Sequence, residues 1–298
     1  MTPHKRTYGL LGRGINYSLS PVMHNAAFEY FGVPATYELF DIEEEKLGDF
    51  FRNDLIRKKV SGINVTVPYK VKIKEMLESD VSCSLDEATQ RLGAVNTVKV
   101  EEEGLIGFNT DGKGFYESLL EDTGYDPAAG TIFVLGAGGA GRAICFYLAA
   151  AEDPVERIFV FDVDGEKVSA LETDFKKHFG PHILVPVGEK DIPGKTGKSD
   201  LLVNATPMGT KKEDISPGCP GLPGFLRKDM VVYDLVYCRE TELVREARKK
   251  GITTANGLGM LVNQAALAFD IWIDESFYLG EIKKVMKDAA ETELKKKY

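Results

Sequence analysis

The sequence has little of what marks exported, metal-clustered or polyanion-binding chains. Its four cysteines, Cys83, Cys145, Cys219 and Cys238, are scattered without a CxxC pair. Neither a disulfide framework nor a thiolate zinc site is expected from them, and a reducing compartment suits them. Histidine is also scarce. His178 and His182 stand four apart, but Gly180-Pro181 between them breaks the helix that a metal pair would need, so no metal site is expected. Positive charge is in deficit, with 37 Lys and Arg against 46 Asp and Glu and a net charge of -9. Such a chain repels polyanions, which argues against nucleic acid and anionic membrane surfaces as partners. No long hydrophobic run is present either: the most apolar stretch, residues 131–151, is interrupted by four glycines and by Arg142. That makes a poor membrane span. The basic start at Lys5-Arg6 leads into Tyr8-Gly9-Leu10-Leu11-Gly12-Arg13-Gly14, too short and glycine-rich for a secretory segment, so a cytoplasmic location is expected.

What the sequence does contain is enough apolar residue for a real core. The 298 residues, 43% apolar and 28% charged, suit two packed domains and a small-molecule partner. The first third alternates strand-like and helical patterns at residues 7–11, 21–31, 35–41, 44–56 and 62–67. A hairpin follows, residues 94–100 and 105–109, joined by Glu101-Glu102-Glu103-Gly104. From Thr131 the pattern becomes strand, glycine turn, helix, strand, with a helix at residues 142–151 and strands at 131–135, 157–162, 182–186, 201–205, 230–235 and 252–255. The expected class is α/β in two domains, an N-terminal α/β substrate domain and a Rossmann-like, doubly wound dinucleotide domain. Residues 216–224 read as a surface loop, and the chain from Leu261 onward as helical, with Phe269, Trp272 and Ile273 on an apolar face.

Two stretches carry chemistry. Gly136-Ala137-Gly138-Gly139-Ala140-Gly141 is a GxGxxG run between the apolar strand at 132–135 and a helix. Glycines there let backbone approach a pyrophosphate, whose charge meets the free N–H groups of the helix start. Asp162, closing the next strand, sits where an acid takes ribose hydroxyls; a methyltransferase binding a nucleoside cofactor shares this arrangement. Asp162-Val163-Asp164 opposes a 2′-phosphate, favouring NAD over NADP, although Asp164-Gly165 also reads as a solvated turn and Lys167 lies in reach.

The other stretch is Asn64-Val65-Thr66-Val67-Pro68-Tyr69-Lys70. Alternation puts Ile63, Val65 and Val67 on one face, and Asn64 with Thr66 on the other. A helix starting near Tyr69 places Lys70 in its first turn, where the dipole disfavours an ammonium and suits proton transfer; the plainer alternative is a solvated lysine like Lys72 and Lys74. Asp111 in Asn109-Thr110-Asp111-Gly112 reads first as a turn or helix cap. Asn96 interrupts an apolar run, so its buried amide needs partners. Ser18-Leu19-Ser20-Pro21 offers two hydroxyls before a helix, either as an N-cap or as a carboxylate holder.

Together these stretches resemble the shikimate dehydrogenase family, over nearly the whole chain. The resemblance is carried by Ser18-Leu19-Ser20-Pro21 with His24-Asn25, by the stretch from Asn64 to Lys70, by Gly93-Ala94-Val95-Asn96-Thr97, by Asn109-Thr110-Asp111-Gly112 and by the glycine loop. Further on it is carried by Asn204-Ala205-Thr206-Pro207-Met208-Gly209, Tyr233-Asp234-Leu235-Val236-Tyr237 and Gly257-Leu258-Gly259-Met260-Leu261-Val262-Asn263-Gln264-Ala265. It implies a Lys70/Asp111 catalytic dyad, Ser18 and Ser20 on the substrate carboxylate, and Thr66, Asn96, Tyr237 and Gln264 on ring hydroxyls. It also implies dinucleotide contacts from Gly136, Ala137, Gly138, Gly139, Ala140, Asp162, Thr206, Met208, Leu235, Gly257 and Met260. The domains it implies are residues 1–112 with 261–298 for substrate and 113–260 for dinucleotide. The activity implied is reversible NAD(P)-dependent reduction of 3-dehydroshikimate to shikimate. Alternatives are an NAD-dependent quinate/shikimate dehydrogenase, a folate-type dehydrogenase of similar architecture, and a non-catalytic dinucleotide-dependent regulator. NADP-using members commonly carry an Asn-Arg-Thr type segment where this chain has Asp162-Val163-Asp164, and paired serines lean towards shikimate. Monomer and homodimer both stay open.

Overall fold

The computed structural model describes residues 5–57, 59–210, 214 and 221–297. Cys219 and residues 216–220 of the expected surface loop lie outside the described residues. The chain divides into two compact units, residues 1–110 with 262–298, and residues 111–261. The crossings fall at Thr110/Asp111 and Leu261/Val262, where the sequence reading drew them at Gly112/Lys113 and Met260/Leu261.

In the first unit the order is β1 (Arg6–Gly12), α1 (Ser20–Tyr30), β2 (Ala35–Asp41), α2 (Glu44–Phe50), β3 (Gly62–Val65), α3 (Lys70–Ser79), β4 (Cys83–Leu85), α4 (Glu87–Leu92), β5 (Thr97–Val100) and β6 (Leu105–Phe108). The six strands form one sheet in the order β2-β1-β3-β5-β6-β4. β1 runs parallel to β2 and β3, and β5 is antiparallel to β3 and β6. The single helix expected over 44–56 is instead α2 followed by one wider turn, Phe51–Leu55. Its apolar face is still served, since Leu47, Phe50, Phe51 and Leu55 all enter the core with Ile63, Val65, Ile73 and Leu77.

The strand read to Val67 stops at Val65, and the Val67-Pro68 bond just beyond it is cis. Val67 is 71% exposed and does not share the buried face of Ile63 and Val65. Pro68 has no N–H to donate, so the ladder cannot continue through it.

The C-terminal part of this unit, from Val262 to the end of α11 (Leu279–Lys297), returns to α1. Trp272 anchors it: its ring stacks on Tyr8 with centroids 5.0 Å apart, and its indole donates to the Val98 carbonyl at 3.0 Å. A buried indole is favourable only when that N–H has a partner.

The second unit runs α5 (Asp111–Thr123), β7 (Thr131–Leu135), α6 (Gly139–Ala150), β8 (Arg157–Phe161), α7 (Gly165–Phe179), β9 (Leu184–Pro186), α8 (Ile192–Thr196), β10 (Leu201–Asn204), β11 (Val231–Asp234), α9 (Glu242–Lys249) and β12 (Thr253–Asn256), then the first part of α10 (Leu258–Trp272). Its strands are all parallel in the order β12-β11-β10-β7-β8-β9, with the order reversing between β7 and β10. This is the doubly wound sheet expected from the sequence, whose switch point is where ligands bind beyond the carboxyl ends of the strands. The apolar runs of β7, β8, β10 and β11 are continuous because helices cover both faces, and Phe133, Leu135, Phe159, Leu202 and Val232 are all buried.

Candidate active site

In the first unit, α1 begins at Ser20, with Pro21 in the first turn. Proline fits there, since its missing N–H would have had no helical acceptor. Ser20 is the first helical residue, not the cap. The Ser18 hydroxyl accepts the Ser20 N–H at 3.2 Å and donates to the Ser20 hydroxyl at 3.1 Å, so the two serines are held side by side. Lys70 is the first residue of α3, as the sequence implied, and its carbonyl accepts the Val95 N–H at 2.9 Å. Thr66 follows β3, half-buried, with its N–H on the Leu11 carbonyl at 2.8 Å.

Asn96 is 2% exposed and finds the partners its burial demanded. Its Oδ1 accepts the Thr110 N–H at 2.8 Å and the Thr97 hydroxyl at 3.0 Å, while its Nδ2 donates to the Thr110 hydroxyl at 2.9 Å. Thr110 in turn donates to the Gln264 carbonyl at 3.0 Å, so α10 is tied to the end of β6 beside Asn96. Asn109 anchors the same turn by donating to the Ala94 carbonyl at 2.9 Å. Three stretches far apart in sequence thus converge: Asn96, Thr110 and Gln264.

In the second unit the glycine run begins where β7 ends. The helix starts at Gly139, earlier than the expected residue 142, so the third and fourth glycines are helical. A Cβ on Gly141 would come within 2.0 Å of the Gly136 carbonyl oxygen, which forces glycine there. Gly138 is different: a Cβ would meet nothing within 4 Å, so that side of the helix start is open space for a ligand group against free N–H donors. Ala137 donates its N–H to the Asp162 carboxylate at 2.8 Å, and Asp164 does the same at 2.9 Å, so Asp162 also braces the loop. Asp164 is committed elsewhere. It caps α7 by accepting the Glu166 N–H at 3.1 Å and pairs with Lys167 at 3.3 Å, which holds its carboxyl below the usual range. This matches the turn reading, and leaves Asp162 as the acid beside the glycine loop.

The loops after β10 and β11 are fixed by a knot that sequence reasoning missed. Asp234 is fully buried and accepts from Asn204 at 2.8 Å, from the Thr241 hydroxyl at 2.6 Å and from the Val236 N–H at 3.1 Å. Burial raises its pKa, with those donors acting in the opposite direction. Asn204 Oδ1 takes the Thr206 N–H at 3.1 Å and its hydroxyl at 2.7 Å, and the Thr206 hydroxyl takes the Met208 N–H at 3.3 Å. Leu235 and Tyr237, both half-buried, follow directly. A Cβ on Gly257 would lie 1.9 Å from the Leu235 carbonyl oxygen, and the Met260 N–H donates to the Tyr233 hydroxyl at 3.2 Å. The buried residue Asp111 opens α5. The signal for the knot was present in Asn204 and Asp234, polar residues ending apolar strands.

No helix among the described residues is long and apolar enough to cross a membrane. Side-chain hydroxyls and amides in one unit, and a glycine cradle on a doubly wound sheet in the other, are the parts of a dinucleotide-dependent oxidoreductase. Comparison with known proteins agrees. Residues 10–98 match the shikimate dehydrogenase substrate binding domain. The chain is 37% identical over 271 residues to the shikimate dehydrogenase (NADP(+)) of Methanopyrus kandleri, covering 90% of each chain. It superposes with a TM-score of 0.83 and 35% identity on a shikimate dehydrogenase crystallised with NADP+, covering 97% of this chain and 96% of that one. For the Listeria monocytogenes enzyme in complex with shikimate and NAD the values are 0.82, 31%, 96% and 98%. Similarity of this extent in both sequence and fold places the chain in the shikimate dehydrogenase family of oxidoreductases.

Proposed function

We propose that the protein interconverts 3-dehydroshikimate and shikimate, with Ser18 and Ser20 on the substrate carboxylate and Thr66, Asn96, Tyr237 and Gln264 on ring hydroxyls. The observation that carries the reading is the convergence of Asn96, Thr110 and Gln264 in one hydrogen-bonded array, in a unit whose α1 also presents two paired hydroxyls at its start. Lys70 exchanges the proton of the reacting hydroxyl, and Asp111 shares the hydrogen bond to that oxygen. Lys70 stands at the first position of α3, which fixes where its side chain leaves the backbone. When bound, the nicotinamide supplies or accepts the hydride. The open side of Gly138 receives the pyrophosphate, while Thr206, Met208, Leu235, Gly257 and Met260 line the dinucleotide.

NAD is the preferred dinucleotide in this reading. Asp162 stands at the glycine loop, and a 2′-phosphate beside it would meet a like charge. The nearby cations are engaged, Lys167 with Asp164 at 3.3 Å and Arg142 with Asp174 at 2.8 Å. The relatives named for NADP(+) and the Listeria structure holding NAD bracket the choice. The test is dinucleotide reduction with shikimate, quinate or neither, run with NAD and then NADP. Shikimate-dependent turnover, with kcat/KM higher for NAD, is expected. Turnover only with quinate overturns the substrate assignment, and a higher kcat/KM for NADP overturns the cofactor assignment.

A further inference from the structure

His24-Asn25 belongs to a motif that the proposed chemistry does not use, yet the structure places both residues around Tyr37. Asn25 clamps the main chain of Tyr37: its Oδ1 accepts the Tyr37 N–H at 2.9 Å and its Nδ2 donates to the Tyr37 carbonyl at 3.0 Å. The same Nδ2 donates to the Pro21 carbonyl at 2.8 Å, so β2 is fastened to the first turn of α1, next to Ser20. His24 holds the ring, stacked on it at 4.3 Å with planes 3° apart. The Tyr37 hydroxyl then donates to Asn64 Oδ1 at 2.8 Å. From there the path is continuous: Asn64 Nδ2 donates to the Thr97 hydroxyl at 3.0 Å, and that hydroxyl donates to Asn96 Oδ1 at 3.0 Å. Tyr37, His24, Asn64, Thr97 and Asn96 are all buried, so each bond is shielded from competing water.

We propose that Tyr37 is a positioning residue for substrate recognition, its hydroxyl and Thr97 coupling the serine-bearing start of α1 to the hydroxyl-reading amide of Asn96. The inference rests on the proposed roles of Ser18, Ser20 and Asn96. A ring substrate that presents its carboxylate at one end and its hydroxyls at another is read by two groups whose separation must be fixed. A rigid link between them lowers the ordering cost of binding. Tyr37 can serve this purpose without touching substrate, because its main chain, ring and hydroxyl are each held by a different element or neighbour.

The test is steady-state kinetics of Tyr37→Phe, which keeps the stacking and the Asn25 clamp and removes one hydroxyl. Substrate KM is expected to rise by about tenfold, the size of one disrupted buried hydrogen bond, with dinucleotide KM unchanged. If Tyr37→Phe does not fold, Thr97→Val breaks the same path further along, and Thr97→Ser restores it. The matching expectation is a raised substrate KM in the first and a near-normal one in the second. Ser20→Ala and the double variant Ser20→Ala/Tyr37→Phe complete a cycle in which the two losses are not additive. Equal increases in both KM values, additive losses, or failure of Thr97→Ser to restore substrate KM would overturn the positioning role. An unchanged substrate KM in Ser20→Ala would instead overturn the underlying site assignment.

Discussion

Asn96, just before β5 in the first unit, and Asp234, the last residue of β11 in the second, are each a buried polar residue that ties separate segments together. Their chemistry differs. The bonds around Asn96 join neutral groups, Tyr37, Asn64, Thr97 and Thr110, so its amide is positioned largely by other side chains. Asp234 brings a carboxylate into the interior and meets it with neutral donors from Asn204, Val236 and Thr241. In the proposed reading the second unit presents backbone, shaped by glycines, to the dinucleotide. A substrate dense in hydroxyls and carboxylate calls for side chains of defined polarity, whereas a pyrophosphate is met by N–H groups that every residue has and only glycine exposes closely. Deleting groups should therefore damage the first unit most, and adding atoms the second.

The largest expected effect tests deletion. Lys70→Ala should lower turnover by roughly 10²–10⁴-fold with little change in substrate KM, since it removes a proton-transfer group. Unchanged turnover would remove Lys70 from the mechanism. Addition is tested by Gly141→Ala, whose methyl would sit 2.0 Å from the Gly136 carbonyl oxygen. A displacement of the loop near 1 Å should cost about a hundredfold in kcat/KM for the dinucleotide, with substrate KM preserved. Losses shared equally between the two ligands would break the division between the units.

Asp234 sharpens the contrast between neutral and ionised interiors. Asp234→Leu strands three donors and should cost about 2–5 kcal/mol in urea unfolding. Asp234→Asn keeps two acceptor bonds and reverses the third towards the Thr241 hydroxyl, so its loss should stay within about 1 kcal/mol. Equal losses in the two variants would mean that shape, not hydrogen bonding, holds the knot.

The smallest effect concerns pH, where the two units should move in opposite directions. Burial pushes the His24 pKa from 6.5 down to about 3, with the adjacent Asn64 acting in the opposite direction. Below pH 6.5 the unfolded chain takes a proton that folded His24 refuses. Stability from this group is therefore full above 6.5 and falls as pH drops towards 3, with a slope of up to about 1.4 kcal/mol per pH unit. For Asp234 the folded pKa is raised from 3.8, so its contribution falls as pH rises above 3.8. Unfolding measured from pH 7 to pH 4 should show a shallower acid slope in His24→Phe than in the parent. An identical slope would mean that His24 is protonated without cost.

Elements bounded by strong punctuation were legible in the sequence. The strands at Ala35–Asp41 and Thr131–Leu135 match their reading residue for residue, because apolar runs there stop at turn residues or at a glycine. β4 and α4 were not read. Cys83–Leu85 is three residues long and becomes a strand by pairing with β6, while Glu87–Leu92 is a short helix set by the Asp86 cap and the left-handed Gly93. At the site, the glycine loop was legible because its physics is local. The Tyr37 path was not, because Tyr37 and Asn64 stand 27 residues apart and Asn64 and Thr97 a further 33, with no pattern to join them.

By itself, then, the sequence determined the parallel second sheet, its glycine cradle, the acid at Asp162 and a helix start near Tyr69 that puts Lys70 in the first turn, all features written in contiguous residues and short-range sterics. Tertiary structure alone decided that Tyr37 reaches Asn64 and that Asn96, Thr110 and Gln264 meet. Burial creates those pairings: once water is excluded, each polar group must find the partner that the fold, and not its neighbours in sequence, brings to it.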